Sequence, residues 1–239
     1  MELQKYTVTI TNIEQLNEYV KLFRLTFPSE KPFSFTAGQF VILTVPGPDG
    51  KPQRRSYSIA SSPIHKDFIE LCIKILPDGR VSSVLDTFAI GNQIELDGPY
   101  GKFIVNKEQK KELVFIATGV GIAPLRGMLQ DLFETKYDAP IWLFFGFRHE
   151  TDFIFQDELS ALEEQYHNFH FIPVISRPGE HCDPDVDVGH VTDVIPLYMT
   201  EAQNKEVFIC GSLPMVKDVI FALEKIGFTK EQIKTDAWG

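Results

Sequence analysis

The first half of the chain alternates short apolar runs with polar turns, as the strands of an antiparallel sheet do. The runs are rich in branched and aromatic residues, and they are separated by turn residues such as Ala37–Gly38. The predicted strands are Tyr6–Ile10, Tyr19–Phe27, Gln39–Val45, Arg54–Pro63, Phe68–Leu76 and Ile94–Asp97. Short strands at this spacing predict a closed antiparallel β-barrel, in which few strand edges are exposed.

A helix and a junction interrupt this strand pattern. Four apolar residues recur at helical spacing just after Gly79, namely Val81, Val84, Leu85 and Phe88. The Gly-Pro turn in Gly98–Phe103 and the polar run Asn106–Glu112 are typical of a domain junction. We therefore expect a first domain over residues 1–105 and a second over residues 106–239.

From Leu113 onward, apolar strands alternate with amphipathic helices. The predicted strands are Leu113–Ala117, Ile141–Phe145, Phe169–Ile175 and Val207–Cys210, and the predicted helices are Leu125–Phe133, Asp157–Tyr166, Val191–Tyr198 and Met215–Lys225. This alternation predicts a doubly wound α/β domain with a parallel sheet. Ligands of such sheets bind beyond the carboxyl ends of the strands. Four candidate segments fall there: Thr118–Gly121, Gly146–Arg148, Ser176–Arg177 and Cys210–Ser212.

Composition limits the classes of protein that fit this pattern. The 239 residues, 44% of them hydrophobic, suffice for the cores of two domains. A net charge of −10 disfavours general binding to nucleic acid or a membrane surface, because both need a basic field. No apolar run reaches membrane-spanning length, and the first residues lack the pattern of a secretory signal.

The three cysteines, Cys72, Cys182 and Cys210, are widely spaced. Their odd number and spacing fit neither a disulfide framework nor an iron–sulfur cluster, and no other metal site is predicted. We accordingly expect a reducing cytoplasm as its location. Separately, we expect the protein to be a monomer.

The strand Arg54–Pro63 concentrates ligand-binding chemistry in one place. Its alternation predicts Arg55 and Tyr57 on one face, and Ser56 and Ser58 on the other. A guanidinium suits phosphates, a flat ring suits a heterocycle, and a hydroxyl can bond a ring nitrogen. The strand is therefore either a dinucleotide-binding strand or an edge strand with a solvated polar face. Arg54 gains no role, and we expect it to be a surface charge.

Two glycine turns are candidate phosphate sites. Gly79 leads into the predicted helix, where Ser82 and Ser83 lie in the first turn. Such a helix start offers free N–H groups to an anion, although simple serine capping explains the same residues. In the second turn, Gly119 and Gly121 permit close approach to a pyrophosphate, but Pro124 replaces the third glycine of the usual dinucleotide pattern. A tight turn between strand and helix also explains that turn.

Together these segments resemble the ferredoxin–NADP reductase superfamily. Five segments match its motifs in the same order: Arg55–Ser58, Gly79–Leu85, Gly98–Phe103, Thr118–Pro124 and Cys210–Met215. The resemblance covers nearly the whole chain. It implies an antiparallel barrel that binds FAD, followed by a doubly wound α/β domain that binds a nicotinamide nucleotide.

The resemblance also implies roles in FAD binding. Arg55 would bind the pyrophosphate, Tyr57 would lie against the isoalloxazine, and Ser58 would bond the reactive N5 as a catalytic residue. The remaining candidates for FAD binding are Ser56, Cys72, Ile73, Lys74, Gly79, Val81, Ser82 and Ser83.

On the nicotinamide side, the resemblance places Cys210 beside the reactive carbon as a neutral thiol, the second catalytic candidate. The residues expected to bind that nucleotide are Thr118, Gly119, Arg148, Ser176, Arg177, Cys210, Gly211 and Met215. Trp238 either covers the isoalloxazine, stacks on an adenine or packs on the last strand, and Asp236 is a neighbour of uncertain role.

The choice between NADP and NAD is left open by two opposed signals. Ser176–Arg177 resembles the pair that binds the 2′-phosphate in NADP-specific members, and a guanidinium suits that group. The acids that follow, among them Asp183, Asp185 and Asp187, would repel a phosphate. Arg177 could instead be a surface charge, and His190 stands near the place of a second basic residue.

The implied activity is hydride transfer from NAD(P)H to FAD, followed by electron transfer to a separate carrier. Ferredoxin or flavodoxin is the first expectation. A reductase component of an oxygenase system, a free-flavin or ferric reductase, a non-catalytic electron-transfer subunit and a nucleotide-binding protein are the alternatives. Four lysines form either a docking patch for an acidic carrier or a solvated loop: Lys102, Lys107, Lys110 and Lys111.

Overall fold

The computed structural model of the protein describes residues 4–47, 51–180 and 182–238. The chain divides into two compact units. The first comprises the residues up to Val105 together with Arg126–Thr135, and the second comprises Asn106–Leu125 and the residues from Lys136 onward. Among the described helices, none is both long and apolar enough to cross a membrane.

The first unit is a six-stranded antiparallel sheet that curls into the predicted barrel. Its elements are β1 (Gln4–Asn17), β2 (Val20–Thr26), β3 (Phe40–Pro46), β4 (Pro52–Ser58), β5 (Phe68–Lys74), the short helix α1 (Ser82–Asp86) and β6 (Gln93–Tyr100). The strands lie in the order β4-β3-β6-β1-β2-β5. An antiparallel bridge between Ile59 and Leu71 brings the two end strands together.

Alternate residues of these strands fill the barrel. Val41, Leu43 and Val45 of β3 are each at most 1% exposed, whereas the residues between them are half-buried. The rings of Phe27 and Phe33 stack within the same core, with centroids 4.6 Å apart. The period-two pattern therefore reports the core face of the sheet correctly.

The first strand is longer than its apolar pattern predicts. β1 continues past Ile10 to Asn17 and pairs with β2 as a hairpin, with a register shift between Ile10 and Asn12. Most residues of this extension are polar and exposed or half-buried. Cross-strand hydrogen bonds form the extension without a buried face, so hydrophobic periodicity does not reveal it.

The second unit is a parallel sheet flanked by helices, as predicted. Its elements are β7 (Glu112–Thr118), the start of α2 (Ile122–Glu134), β8 (Ile141–Phe147), α3 (Gln156–Gln165), β9 (Phe169–Ile175), β10 (Asp187–Val188), α4 (Val191–Tyr198), β11 (Lys205–Ser212), α5 (Leu213–Ile226) and β12 (Ile233–Trp238). From Arg126 onward, α2 belongs to the first unit. The strand order is β10-β9-β8-β7-β11-β12. Since the chain winds outward from β7 in one direction and then returns to place β11 on its other side, the topological switch point lies between β7 and β11.

The glycine turn after β7 begins its helix earlier than predicted. A 3-10 turn over Gly119–Gly121 leads directly into α2, which starts at Ile122 rather than at Leu125. Pro124 fits the first helical turn because N–H groups there need no partner within the helix. A side chain at Gly121 would place its Cβ 2.2 Å from the carbonyl oxygen of Cys210, so only glycine allows the turn to pack this closely on β11.

Candidate functional site

The end strands of the first unit leave an opening between them. At one end, the Ile59–Leu71 bridge and a hydrogen bond of 2.8 Å from Ala60 N to Glu70 O join the two strands. From there toward the start of β4 and the end of β5, no ladder joins the two strands in the described part of the chain. Backbone polar groups on strand edges need partners. The opening, which we call the β4–β5 gap, thus offers a ligand two polar backbone edges.

The predicted flavin residues lie on the two sides of this gap. Continuing the antiparallel register from the bridge sets Ser58 opposite Cys72. The next pair along is Tyr57 and Ile73. The structure therefore brings together two sequence segments that were assigned to the flavin separately.

Tyr57 places a flat ring with a protonated hydroxyl on the β4 side of the gap. It pairs with Val41 of β3 and packs against the barrel core. Burial raises the pKa of its phenol to about 12, against a smaller opposing effect of the Arg55 guanidinium. The hydroxyl consequently keeps its proton at physiological pH and can donate a hydrogen bond.

Arg55 keeps its charge available. Its side chain is exposed, and its Nη1 donates to the carbonyl oxygen of Arg54 at 3.1 Å. No described carboxylate forms an ion pair with it. A cation held on a strand without a neutralising acid is suited to a phosphate ligand. Ser56 is exposed on the other face of the strand, and Ser58 beside it is half-buried.

Arg54 is exposed at the surface, as expected, and it also forms an ion pair. Its Nη2 donates to both carboxylate oxygens of Asp97, at 2.8 and 2.7 Å. Asp97 is 7% exposed and also accepts a hydrogen bond of 2.5 Å from the hydroxyl of Tyr100. Arg54 therefore ties β4 to β6, and of the two adjacent arginines only Arg55 remains open to a ligand.

On the β5 side, Cys72 and Ile73 are buried and Lys74 is exposed. Burial raises the pKa of the Cys72 thiol to about 12, with nearby Arg126 acting in the opposite direction. Because the Cys72 thiol is buried and neutral and the Ile73 side chain is apolar, the polar groups at these two residues are those of the backbone. This agrees with the expectation that Cys72–Lys74 contact a flavin through their main chain.

The turn before α1 uses its serines internally. The Ser82 hydroxyl accepts from Leu76 N at 3.1 Å, and the Ser83 hydroxyl donates to Gly79 O at 2.5 Å. The residue that precedes the helix is Val81, which makes no side-chain cap. Among the described residues, the backbone N–H groups of Arg80 and Val81 have no acceptor within hydrogen-bond distance. In this turn, the two hydroxyls already have partners within the chain, whereas these two backbone N–H groups are available to an anion.

In the second unit, the predicted nicotinamide residues meet at the switch point. Thr118 ends β7, and Gly119 opens the following turn with a left-handed φ of 53°. On β11, Cys210 pairs with Ala117 of β7, and Gly211 follows it. The space that a side chain at Gly211 would fill is taken by the Met215 methyl group and the Thr118 hydroxyl.

The Cys210 thiol is fully buried at this point. Burial raises its pKa well above the ordinary value, and the carboxylate of Asp236 on β12 adds to the rise. The Sγ atom lies 4.0 Å from Asp236 Oδ2. The thiol thus stays neutral, as the resemblance implies, and does not become a thiolate nucleophile.

Trp238 lies at the end of β12, opposite Ser212 of β11. It is 41% exposed, and its ring edge would lie 3.0 Å from a Cβ at Gly121. The indole is therefore a neighbour of the glycine turn in the second unit. Trp238 is itself a residue of the last strand, and the structure adds a contact with a candidate nucleotide turn.

Arg148 and Arg177 are brought together at the ends of β8 and β9. Arg177 N donates to Arg148 O at 2.8 Å, and Ser176 N donates to Phe147 O at 3.0 Å. Both guanidinium groups belong to exposed residues, and neither forms an ion pair with a described acid. Two arginines whose backbones are hydrogen-bonded at the carboxyl edge of the sheet form a candidate phosphate site.

The acidic residues expected to oppose a phosphate are partly engaged elsewhere. Asp187 lies in β10 and accepts a hydrogen bond of 2.8 Å from the Tyr198 hydroxyl, and Asp183 accepts from Asp185 N at 3.0 Å. His190 precedes α4, and its carbonyl oxygen accepts a hydrogen bond from Asp193 N. Arg148, whose backbone is hydrogen-bonded to Arg177, is thus the candidate for the second basic residue that the backbone contacts support.

Two family matches cover the two halves of the chain. Residues 7–104 match the family described as oxidoreductase FAD-binding domain. Residues 115–220 match the family described as oxidoreductase NAD-binding domain.

Among similar proteins, the reductase component of propane 2-monooxygenase from Mycolicibacterium smegmatis is 30% identical over 240 residues, covering 99% of this chain and 68% of the relative. The electron transfer component of toluate 1,2-dioxygenase from Pseudomonas putida is 32% identical over 216 residues, covering 90% and 62%. The cytochrome P450 reductase GcoB of Amycolatopsis has a similar structure, with a TM-score of 0.89 and 25% identity over 98% of this chain and 70% of that one.

The fold, the ordered motifs and these matches place the chain in the ferredoxin–NADP reductase superfamily. It is an oxidoreductase that uses FAD and a nicotinamide nucleotide, NAD(P)H, for electron transfer. The β4–β5 gap fits FAD, because it combines an unpaired guanidinium, a neutral phenol and two open backbone edges.

Replacing Arg55 with alanine should weaken FAD binding to the apoprotein about 10- to 100-fold, the equivalent of one or two lost charge-assisted hydrogen bonds. Quenching of FAD fluorescence on titration measures the dissociation constant. Lys66→Ala removes an exposed cation of the same unit and should leave that constant unchanged. Equal dissociation constants for Arg55→Ala and the wild type would contradict the assignment.

At pH 8, iodoacetamide should modify Cys182 in the folded chain and spare Cys72 and Cys210, as read by peptide mass spectrometry. Burial keeps the latter two thiols protonated. Alkylation of Cys210 as fast as Cys182 would show that the site is open.

The buried thiols also predict how stability depends on pH. Because the folded pKa values of Cys72 and Cys210 lie above the unfolded value of about 8.5, the unfolded chain loses protons first. The free energy of unfolding should therefore fall as the pH rises above about 8.5.

Proposed function

We propose that this chain is the reductase component of an oxygenase system, taking hydride from NAD(P)H and delivering electrons to a separate protein of that system. The observation that carries the proposal is the near full-length similarity to reductase components of a monooxygenase and a dioxygenase. The phenol hydroxylase P5 protein of Acinetobacter pittii, 28% identical over 98% of this chain and 65% of its own length, points the same way.

Within this proposal, residues 1–105 bind FAD and residues 106–239 bind the nicotinamide nucleotide. Bound FAD supplies a two-electron acceptor that can release electrons singly. Arg55 and the N–H groups before α1 hold its phosphates, Tyr57 packs against its ring system, and Ser58 donates to N5. Ser56 and the main chain of Cys72–Lys74 complete the pocket.

For the nicotinamide nucleotide, the switch point between β7 and β11 supplies the contacts. Thr118 and Gly119 approach the pyrophosphate, and Gly211 with Met215 shapes the floor of the crevice. Cys210 lies against the nicotinamide as a neutral thiol and orients it without covalent chemistry. Trp238 covers the glycine turn beside them.

The identity of the electron acceptor is the least specific part of the function inferred from the sequence. Ferredoxin or flavodoxin remains a prediction, whereas the relatives favour a protein component of an oxygenase. Lys110 forms an ion pair with Asp138 at 3.1 Å, which reduces the positive charge of the predicted docking patch near the junction. Lys102, Lys107 and Lys111 are the other lysines of the predicted patch for an acidic carrier.

We further propose NADPH as the preferred nucleotide, with Ser176, Arg177 and Arg148 on its 2′-phosphate. Anaerobic mixing of the FAD-loaded chain with NADPH or NADH, followed at the flavin absorption band, measures the two reduction rates. Arg177→Ala should lower the apparent affinity for NADPH about 10- to 100-fold and leave that for NADH within about twofold. Faster reduction by NADH in the wild type, together with no NADPH effect in Arg177→Ala, would contradict this preference.

Electron delivery distinguishes the reductase classes. With NADPH in excess, we expect an iron–sulfur or oxygenase protein from the same organism to accept electrons at least about tenfold faster than free FMN or ferric citrate, because docking aligns donor and acceptor. Turnover with each acceptor at matched concentration measures this. Free flavin or ferric ion as the best acceptor would support a flavin or ferric reductase instead, and flavodoxin as the best acceptor would support the first expectation. A wild-type chain that takes up no FAD would contradict every enzyme class considered.

A further inference from the structure

A buried charge cluster lies at the closed end of the β4–β5 gap. Arg126 and Glu70 are 8% and 6% exposed, and both belong to the first unit. Arg126 Nη1 donates to Glu70 Oε2 at 2.8 Å. The other oxygen of Glu70 accepts from Arg24, with distances of 3.1 Å to Nε and 2.8 Å to Nη2.

The cluster is bonded to both sides of the gap. The same Nη1 of Arg126 donates to Ala60 O at 2.8 Å, just beyond the end of β4. Glu70 lies on β5, two residues before Cys72. One guanidinium therefore holds the backbone of the Tyr57–Ser58 strand to the strand that carries Cys72–Lys74.

Further contacts press the helix that carries Arg126 onto this junction. A Cβ at Gly127 would lie 2.8 Å from Ser61 O, so the helix backbone lies directly on the strand. Gln130 Oε1 accepts from Ser62 N at 2.9 Å, and Ser62 donates from its hydroxyl to Glu134. On the other side, Glu70 N donates to the hydroxyl of Ser61 at 3.0 Å.

The cluster is charged at neutral pH. Burial alone would raise the pKa of Glu70, but the guanidinium groups of Arg126 and Arg24 outweigh burial and lower it. Buried ion pairs give little net stability compared with apolar packing, whereas their directional bonds fix the positions of the groups that they join. The cluster is thus better suited to setting a distance than to holding the barrel together.

We propose that Arg126 and Glu70 are positioning residues for the flavin: they fix the separation of the two strands at the closed end of the β4–β5 gap and thereby the placement of Ser58 and the Cys72–Lys74 backbone. This inference rests on the proposed FAD site. Neither residue is proposed to touch the cofactor.

Three variants test it. Arg126→Lys keeps the positive charge but loses the fixed fork geometry of the guanidinium, and Arg126→Met removes the charge. Glu70→Gln keeps the shape of the Glu70 side chain but removes its negative charge. Lys205→Met is the matched control, because it breaks a comparably buried ion pair, with Glu112 at 3.0 Å, in the second unit. For each variant we would measure the free energy of unfolding, the FAD dissociation constant of the apoprotein and the midpoint potential of bound FAD.

We expect Arg126→Lys and Glu70→Gln to fold, to bind FAD about tenfold more weakly, and to shift the potential. A tenfold difference between the affinities for oxidised and reduced flavin equals about 30 mV for a two-electron couple. Because the residues act as a unit, Arg126→Met combined with Glu70→Gln should bind FAD no more weakly than Arg126→Met alone. Lys205→Met should lower stability without changing either flavin property.

Wild-type values for the dissociation constant and the potential in folded Arg126→Lys and Glu70→Gln would overturn the inference. The same holds if Lys205→Met shifts both as much as these variants do. Failure of the proposed function is distinguishable, because it would appear as absent FAD uptake in the wild type rather than as equality between the wild type and the variants.

Discussion

The candidate FAD site depends on one constraint, which is that the backbone polar groups of a strand edge need hydrogen-bond partners. In the first unit, β4 and β5 are the end strands, and they meet at Ile59 and Leu71. Beyond that bridge, the edges face the β4–β5 gap, and the sheet itself supplies no further ladder between them among the described residues. A planar cofactor with donors and acceptors on its rim can satisfy these edges where a third strand would otherwise be needed.

The two units solve the problem of nucleotide binding by different means. In the barrel, side chains of one strand and the main chain of another border the gap, and a buried ion pair fixes its closed end. In the parallel sheet, the reversal of strand order between β7 and β11 creates the crevice, and close backbone packing at Gly121 fixes the turn beside it. The chain is acidic overall, with a net charge of −10, yet it leaves Arg55, Arg148 and Arg177 without a described ion pair at the expected phosphate positions.

Much of the fold was predictable because it depends on local pattern. Alternation at Val41, Leu43 and Val45 reported the barrel core, and the alternation of strands and helices reported the parallel sheet. Hydrophobic periodicity did not predict the strands that lack a buried face. The polar hairpin extension of β1, the two-residue strand β10 and the half-exposed strand β12 were missed for this reason, since hydrogen bonds between strands formed them and hydrophobic periodicity did not.

For the candidate site, the sequence indicates which residue types could bind a cofactor, but it does not reveal contacts that depend on a distant partner. Arg54 and Arg55 look alike in sequence, but only the fold sets Asp97 beside Arg54. Arg126 falls within an apolar-periodic helix, and nothing near it in sequence indicates Glu70, 56 residues away. That the hydroxyls of Ser82 and Ser83 bond to the backbone of Leu76 and Gly79 was likewise not visible in the sequence.

Hydrogen–deuterium exchange with and without FAD tests the central claim, that the cofactor completes the two open strand edges, most directly. We expect FAD to slow amide exchange in two separate segments, residues 55–59 and 71–75, while exchange in β7 and β11 of the second unit changes little. Protection confined to other parts of the chain, with unchanged exchange in both of these segments, would contradict it.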